Sequence, residues 1–214
     1  QKEINDWIAA GNGIYQADVK PGDVKYVDVN HDGVINASDK VDLGNGLPKY
    51  TFGFNFSLAW KGFDLSANFT GAAGFQIAQS YRDPSSSQAN YSRRILKRWT
   101  GEGTSNEIPR VTYGDVGNWL FSDLYLQDGD YIRLQNLTMG YDFKKLISWK
   151  GLSKMRLYFQ VQNLFTLTKY DGMDPEIGSF NGTDGNSSDS WVSGVDMGYY
   201  PHPRTFIVGL NLAF

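Results

Sequence analysis

The 214-residue chain contains no cysteine. A disulfide framework, a thiolate nucleophile and a cysteine metal site are therefore excluded. It also lacks an excess of either charge, with 20 Lys+Arg against 23 Asp+Glu and a formal net charge of −3. A phosphate-binding surface needs surplus Lys and Arg, so nucleic acid is not an expected partner. No run approaches 18 consecutive apolar residues, which excludes a transmembrane helix. The opening QKEINDWIAAGNG has neither the basic region nor the apolar centre of a secretory signal. Histidine is scarce as well: His31 and His202 are the two present. HExxH, GxSxG and P-loop patterns do not occur, and Gly101-Glu-Gly103 lacks the strand–turn–helix setting of a dinucleotide fold. Many loop carboxylates could be paired on paper, but nothing singles a pair out. An enzyme is not expected.

Aromatics and glycine are abundant. Aromatic residues make up 15% of the chain and there are 24 glycines, a combination suited to pleated strands and tight turns. The clearest segment is Tyr50–Trp60. One face reads Tyr50, Phe52, Phe54, Phe56, Leu58, Trp60; the other reads Thr51, Gly53, Asn55, Ser57, Ala59. Such period-2 alternation marks a strand with one apolar face. It resumes after Lys61-Gly62 with Phe63, Leu65, Ala67 and Phe69, which predicts a hairpin.

Three further strands are expected. Residues 130–143 place Leu137, Met139, Tyr141 and Phe143 on one face, with Ile132 and Leu134 out of phase. Residues 154–167 give Met155, Leu157, Phe159 and Val161; residues 204–214 give Phe206, Val208, Leu210, Leu212 and Phe214. None of these apolar columns carries a charge.

A soluble β-sandwich alternates in the same way, so the connections must discriminate. Links 61–62 and 144–153 are short, whereas 80–129 and 168–203 are long. Structureless loops of that length are uncommon in compact domains. Short turns alternating with long loops characterise outer-membrane barrels, whose strands need only about 9–11 residues. With a periplasmic C-terminus, Trp60, Phe63, Tyr141, Phe143 and Phe214 gather at the periplasmic edge as an aromatic girdle. Residues 1–49 and both long loops then lie outside the cell. Five strands cannot close a barrel, and open edges in lipid leave backbone groups unsatisfied. The expectation is an all-β chain supplying the last five antiparallel strands of a larger transmembrane β-barrel. Residues 1–49 form an extracellular loop segment, and 50–214 form strands and loops. The alternative is a soluble extracellular β-sandwich binding module.

Residues 28–39, DVNHDGVINASD, fit the twelve-residue EF-hand loop. Asp28, Asn30 and Asp32 take positions 1, 3 and 5, Gly33 takes 6, and the Val34 carbonyl takes 7. Asn36 falls at position 9 and Asp39 at 12, where the standard loop has Glu; dockerin-type loops also end in Asp. Hard oxygen donors at alternate positions suit Ca²⁺ in a structural role. The glycines and proline of KVDLGNGLPKY replace the usual exit helix. An Asx-rich turn that binds nothing is the competing reading.

Segment Tyr91–Trp99, YSRRILKRW, is basic with a possible helical turn. It reads chiefly as a solvated helix packing Ile95 and Trp99, against contact with a partner or anionic headgroup. Loop aromatics Tyr113, Trp119, Trp191, Tyr199 and Tyr200 could stack on sugars, but aromatics more often pack loops together. Residues 181–190 read as a loop tip.

From about residue 21 the order of segments resembles a known family. PGDVKYVDVNHDGVINASDK precedes LPKYTFGFNFSLAWKGFDLSANFTGAAG, YIRLQNLTMGYDF, LYFQVQNLFTLTKYDGMDPE and PRTFIVGLNLAF. This series is similar to the C-terminal region of SusC/RagA-type TonB-dependent outer-membrane transporters of Bacteroidetes. QNLFTLTKYDGMDPE and the terminal Phe214 are its most specific parts. The resemblance implies a barrel of about 22 strands, a plug inside it and a SusD-like surface lipoprotein over it. It also implies import of oligosaccharides or peptides energised by the inner-membrane TonB complex. No plug, TonB-interacting segment or early strand is recognisable in the sequence.

Overall fold

The computed structural model describes residues 1–80, 91–111, 117–147, 149–177 and 194–214. A helix α1 spans Lys2–Ala9. Among the described residues eight strands follow: β1 Tyr50–Trp60, β2 Phe63–Ala73, β3 Gln76–Gln79, β4 Leu126–Asp128, β5 Tyr131–Asp142, β6 Lys154–Thr168, β7 Val195–Asp196 and β8 Thr205–Ala213. The five expected strands form one antiparallel sheet in the order β1-β2-β5-β6-β8. Phe143 ends outside it, opening a 3-10 turn over Phe143–Lys145 that the Asp142 carboxylate caps through the Lys144 N–H at 3.0 Å. The two connections expected to be plain loops contribute β4 and β7, which flank β3, just beyond β2, in a second sheet with a parallel β3–β7 pair.

The β1–β2 hairpin turns on Lys61 (φ 48°) and Gly62 (φ 95°) between the facing pair Trp60 and Phe63. Positive φ at both turn residues matches a primed turn, whose twist follows that of the strands.

The irregular phase of β5 has a local cause. Asn68 of β2 faces Asn136, but the next residue, Phe69, faces Leu134, so Gln135 has no opposite number on β2. This β-bulge shifts the side-chain phase by one and brings Ile132 and Leu134 onto the face of Leu137 and Met139. Strand β6 answers with an extra residue of its own. Asn163 and Leu164 lie opposite Gln135, and Asn163 takes φ 51°. Phe165 and Leu167 thereby extend the apolar face of β6 by facing Leu134 and Ile132.

Registers align into rows across all five strands. Phe56, Ala67, Leu137, Val161 and Phe206 form one apolar row; Leu58, Leu65, Met139, Phe159 and Val208 form the next. On the opposite face, Asn55, Asn68, Asn136, Gln162 and Thr205 form a polar row. A buried cluster of Ala72, Phe75, Ile77 and Tyr170, flanked by Tyr131 and Ile177, sits where β2 and β5 meet the smaller sheet.

The chain divides into two compact units, Gln1–Leu43 with Arg82–Leu124, and Gly44–Tyr81 with Tyr125–Phe214. Both sheets belong to the second. The first is mostly irregular and closes on polar side chains. Asn118 accepts the Val24 N–H at 2.8 Å and donates to Asp23 at 2.8 Å, and Arg110 pairs with Asp23 at 3.0 Å through Nη2. Among the described residues no helix is long and apolar enough to cross a membrane.

Candidate functional site

Most large side chains on the apolar face of the five-stranded sheet are exposed, while Ala67, Leu134 and Val161 are buried between their neighbours. Even on the interior strands β5 and β6, Met139 and Phe159 stay 39% and 36% exposed, and Val208 on β8 reaches 72%. Burying such rings in a protein core would need a second layer, and each fully buried side chain would gain about 1.5–3 kcal/mol. An exposed face this extended is suited to an apolar surrounding. Its rings contact one another: Phe159 stacks on Phe206 at 6.2 Å, and Phe54 lies 6.2 Å from Phe69. At the hairpin end, Trp60 faces Phe63 and Phe63 faces Tyr141, while Tyr141 meets Phe143 edge-on at 5.1 Å. Phe214 meets Trp149 edge-on at 6.2 Å. Trp149 was not among the residues expected there. It lies in a turn, beyond the reach of strand alternation.

The other face is polar. Arg156 of β6 donates through Nε to Asp64 of β2 at 2.8 Å, crossing over Gly140 of β5. A Cβ on Gly140 would fall 2.6 Å from the guanidinium, so the glycine leaves the pair its space. The Tyr158 ring likewise covers Gly209, where a Cβ would come within 2.2 Å.

At the opposite end from the hairpin, a charged cluster closes the sheet. Arg133 of β5, 2% exposed, pairs with Asp174 and with Glu176 at 2.7 Å, and its Nε donates to Thr166 at 3.0 Å. Asp174, 4% exposed, also accepts the backbone N–H groups of Glu176 (2.9 Å) and His202 (3.0 Å). Burial pushes the Asp174 carboxyl up. The His202 and Glu176 N–H groups, the His202 ring and the Arg133 charge outweigh it and hold the group below the ordinary range.

In the first unit, the backbone of 28–39 wraps around its own side chains. Asp28 accepts the N–H groups of Asp32 (3.2 Å) and Gly33 (2.8 Å), Asn30 that of Asp32 (3.0 Å), and Asp32 that of Val34 (2.9 Å). Gly33 at φ 85° and His31 at φ 59° make the reversal. Asn36 caps a single 3-10 turn, Ala37–Asp39, by accepting the Ser38 N–H at 2.8 Å, and Asp39 returns to the Asn36 N–H at 2.8 Å. Asp39 also accepts the Val29 N–H at 2.9 Å, tying position 12 of the loop to position 2. The N–H groups of Asn36, then of Val29 and Asn30, hold the Asp39 carboxyl below its usual range. A Cβ built on Gly33 would lie 3.5 Å from the Trp7 ring, which meets Tyr15 edge-on at 5.2 Å. Among the described residues no three His, Asp or Glu side chains converge closely enough to form a metal cluster. The donor chemistry of the first half suits a hard cation; each Asp39 oxygen accepts one backbone N–H and keeps a further lone pair.

No protein-family model matches the chain. Among curated proteins, TonB-dependent receptor P3 of Formosa agariphila is 34% identical over 206 residues, which cover 95% of this chain and 20% of that protein. TonB-dependent receptor SusC of Bacteroides thetaiotaomicron is 29% identical over 205 residues, covering 94% of this chain and 18% of SusC. The solved RagAB peptide transporter matches 80% of this chain with 18% of its own, at 25% identity and TM-score 0.61. The chain is homologous to the SusC/RagA-type TonB-dependent receptors. It spans about a fifth of the length of the curated relatives it matches. These relatives are receptors and transporters rather than enzymes. The same importer in its open-open state, at 24% identity, matches 88% of the chain at TM-score 0.64.

Within this family frame, the remaining expected residues divide. Arg93–Lys97 form a short 3-10 helix, and Trp99 beside it packs on Gly22, where a Cβ would meet the indole at 2.4 Å. That position uses the tryptophan for packing. Trp119 is half-buried, and Tyr199 and Tyr200 are exposed. Tyr113, Trp191 and residues 181–190 lie outside the described residues. Sequence reasoning missed the Arg133–Asp174–His202 cluster. Its members are 41 and 28 positions apart, and Arg133 sits beside the bulge that disguises the face it belongs to.

Proposed function

We propose that the chain forms part of an outer-membrane TonB-dependent nutrient importer, taking up oligosaccharides or peptides with a SusD-like surface lipoprotein. The observation that carries this reading is the uncharged apolar face, continuous across five strands and exposed even on the interior ones, in a chain homologous to such receptors. In this arrangement the apolar rows meet lipid and the Asn55–Gln162 row faces the inside of the barrel. The free edges of β1 and β8 continue into the rest of the wall around a plug, and the TonB complex supplies energy. The hairpin end with Trp60, Tyr141, Trp149 and Phe214 lies at the periplasmic interface, where amphipathic rings settle. RagAB is a peptide importer, which puts peptides beside oligosaccharides as cargo.

Membrane fractionation tests this. The protein should sediment with the outer membrane, need detergent for extraction and show heat-modifiable migration. A monodisperse, detergent-free soluble form would overturn the reading in favour of a soluble module.

The loop 28–39 is read as a structural Ca²⁺ loop, held by Asp28, Asn30, Asp32, the Val34 carbonyl, Asn36 and Asp39. Carboxylate and carbonyl oxygens at alternate positions supply the hard donors that Ca²⁺ takes. The neighbouring Trp7 ring offers a direct assay. Tb³⁺ bound in the loop should luminesce on indole excitation, and Ca²⁺ should compete it away. Asp28→Ala with Asp32→Ala should abolish the signal and speed protease cleavage within 22–49, leaving heat-modifiable migration intact. Absence of sensitised emission from the unmodified protein would sink the assignment.

A further inference from the structure

At the hairpin end of the five-stranded sheet, basic side chains outnumber acidic ones. Residues 60–64 and 141–156, which make that end, hold six of the chain's 20 Lys and Arg but two of its 23 Asp and Glu. Those two acids, Asp64 and Asp142, alternate with Phe63 and Tyr141 and so belong to the polar face. Both are engaged there. Asp64 accepts the Arg156 Nε at 2.8 Å, and Asp142 accepts the N–H groups of Lys144 at 3.0 Å and Met155 at 3.2 Å. Among the described residues the other end of the sheet has no such basic excess. Lys49, Arg133, Lys169 and Arg204 stand there among Asp130, Asp171, Asp174 and Glu176.

The turn lysines at the hairpin end lie by rings of the apolar side. The Lys61 ammonium is 4.9 Å from the centre of the Trp60 ring, which closes the apolar column of β1. Lys144 donates to the Trp149 carbonyl at 2.8 Å, which leaves its other ammonium protons for a further acceptor. Lys150, the next residue after Trp149, is exposed. Trp60 and Trp149 are 65% and 60% exposed, and Trp149 meets the Phe214 ring just past β8. Lysine stems along apolar surface with the charge held toward water, beside indoles, suit the boundary between acyl chains and headgroups.

We propose that Lys61, Lys144 and Lys150, with Trp60 and Trp149, seat the headgroup phosphates of anionic phospholipid along this rim of the apolar face. Charge and continuity select the occupant. The acids of this end are on the polar face and already bonded, so the rim lysines lack a carboxylate partner among the described residues. A phosphate diester supplies a charge-assisted acceptor, and its acyl chains continue onto the apolar columns that end at Trp60 and Phe214. A zwitterionic lipid brings its own cation to the same lysines and gains less. The proposal rests on the membrane reading above and adds to it a preference among lipids.

Tryptophan emission of the assembled protein, reconstituted in vesicles of brominated phosphatidylcholine, tests the preference. Bromine quenches indoles at the lipid boundary, so an unbrominated lipid that takes the seat restores emission. Phosphatidylglycerol should restore it at about fivefold lower mole fraction than unbrominated phosphatidylcholine, the weight of about one lysine at an anionic surface. Salt at about 1 M should shrink that advantage by screening the charges. Lys61→Gln with Lys144→Gln and Lys150→Gln should bring the two lipids together, with heat-modifiable migration unchanged. Equal restoration by both lipids in the unmodified protein would overturn the seat, as would an advantage that survives high salt or the triple variant. Each of those results would leave the membrane reading standing, since fractionation decides the latter.

Discussion

The five-stranded sheet and the unit of residues 1–43 and 82–124 rely on different balances of hydrogen bond. In the sheet, backbone pairs with backbone through unbroken ladders such as Tyr50–Trp60 on Phe63–Ala73. Side chains are left free to sort by polarity, apolar on one face and amide on the other. In the irregular unit, a few backbone bonds such as Ile35 N–H to the Tyr15 carbonyl at 2.8 Å are joined by many from side chains. Gln16 grips Val24 and Tyr26 at 2.8 and 3.2 Å, Tyr15 donates to the Tyr26 carbonyl at 2.8 Å, and Asn118 holds Val24 and Asp23. A ladder tolerates any residue of the right polarity class. A side-chain lattice depends on particular atoms, so single polar substitutions should matter there and pass almost unnoticed on the sheet's amide face.

The strongest expected exception lies within the sheet unit, at Arg133. Arg133→Met leaves the buried Asp174 without its cation, which should cost about 3–5 kcal/mol. Thermal unfolding in detergent would measure it. A loss below about 1 kcal/mol would mean that His202 and the two backbone donors suffice for Asp174.

Polarity class is tested next. Phe56→Arg places a charge mid-strand on the apolar face, at about 2–4 kcal/mol in lipid. Asn55→Arg adds the same charge to the amide row, one residue away. Outer-membrane yield should fall sharply for the first and stay near the unmodified level for the second. Equal yields would defeat the assignment of the two faces.

In the irregular unit, Asn118→Ala strips the half-buried Val24 N–H of its acceptor and Asp23 of one of its donors, at about 1–3 kcal/mol. Protease should cut faster within 15–26, while heat-modifiable migration holds. Loss of that migration would show that the sheet needs the irregular unit after all.

The smallest effect is one of pH. Burial raises the Asp23 carboxyl, but the Arg110 and Asn118 hydrogen bonds, the Lys20 N–H and the Arg110 charge hold it below its ordinary value. Its contribution is therefore full above the unfolded carboxylate value of about 3.9 and is lost as pH falls through the lower folded one. Protection of 15–26 from an acid-active protease should decline below about pH 4, and Asp23→Asn should flatten that dependence.

Much of this protein was legible locally. Period-2 alternation is a property of neighbouring residues, so Tyr50–Trp60, Phe63–Phe69, Met155–Val161 and Phe206–Phe214 declared both their strands and their faces. The Asp/Asn/Gly spacing of 28–39 declared a turn of inward oxygens for the same reason. The phase of Ile132 and Leu134 did not read correctly, because a bulge exists only relative to the strand beside it. Nor did the pairing of Asp23 with Asn118, of Phe214 with Trp149, or of Arg133 with Asp174. Those contacts join residues far apart along the chain, and no local period encodes them. The sequence by itself determined, outside the bulged stretch of β5, which residues share the apolar face and which the polar one. Where the ladder skips a residue, and which distant carboxylate answers which buried donor, only the tertiary structure decided, since both depend on the neighbour that folding brings alongside.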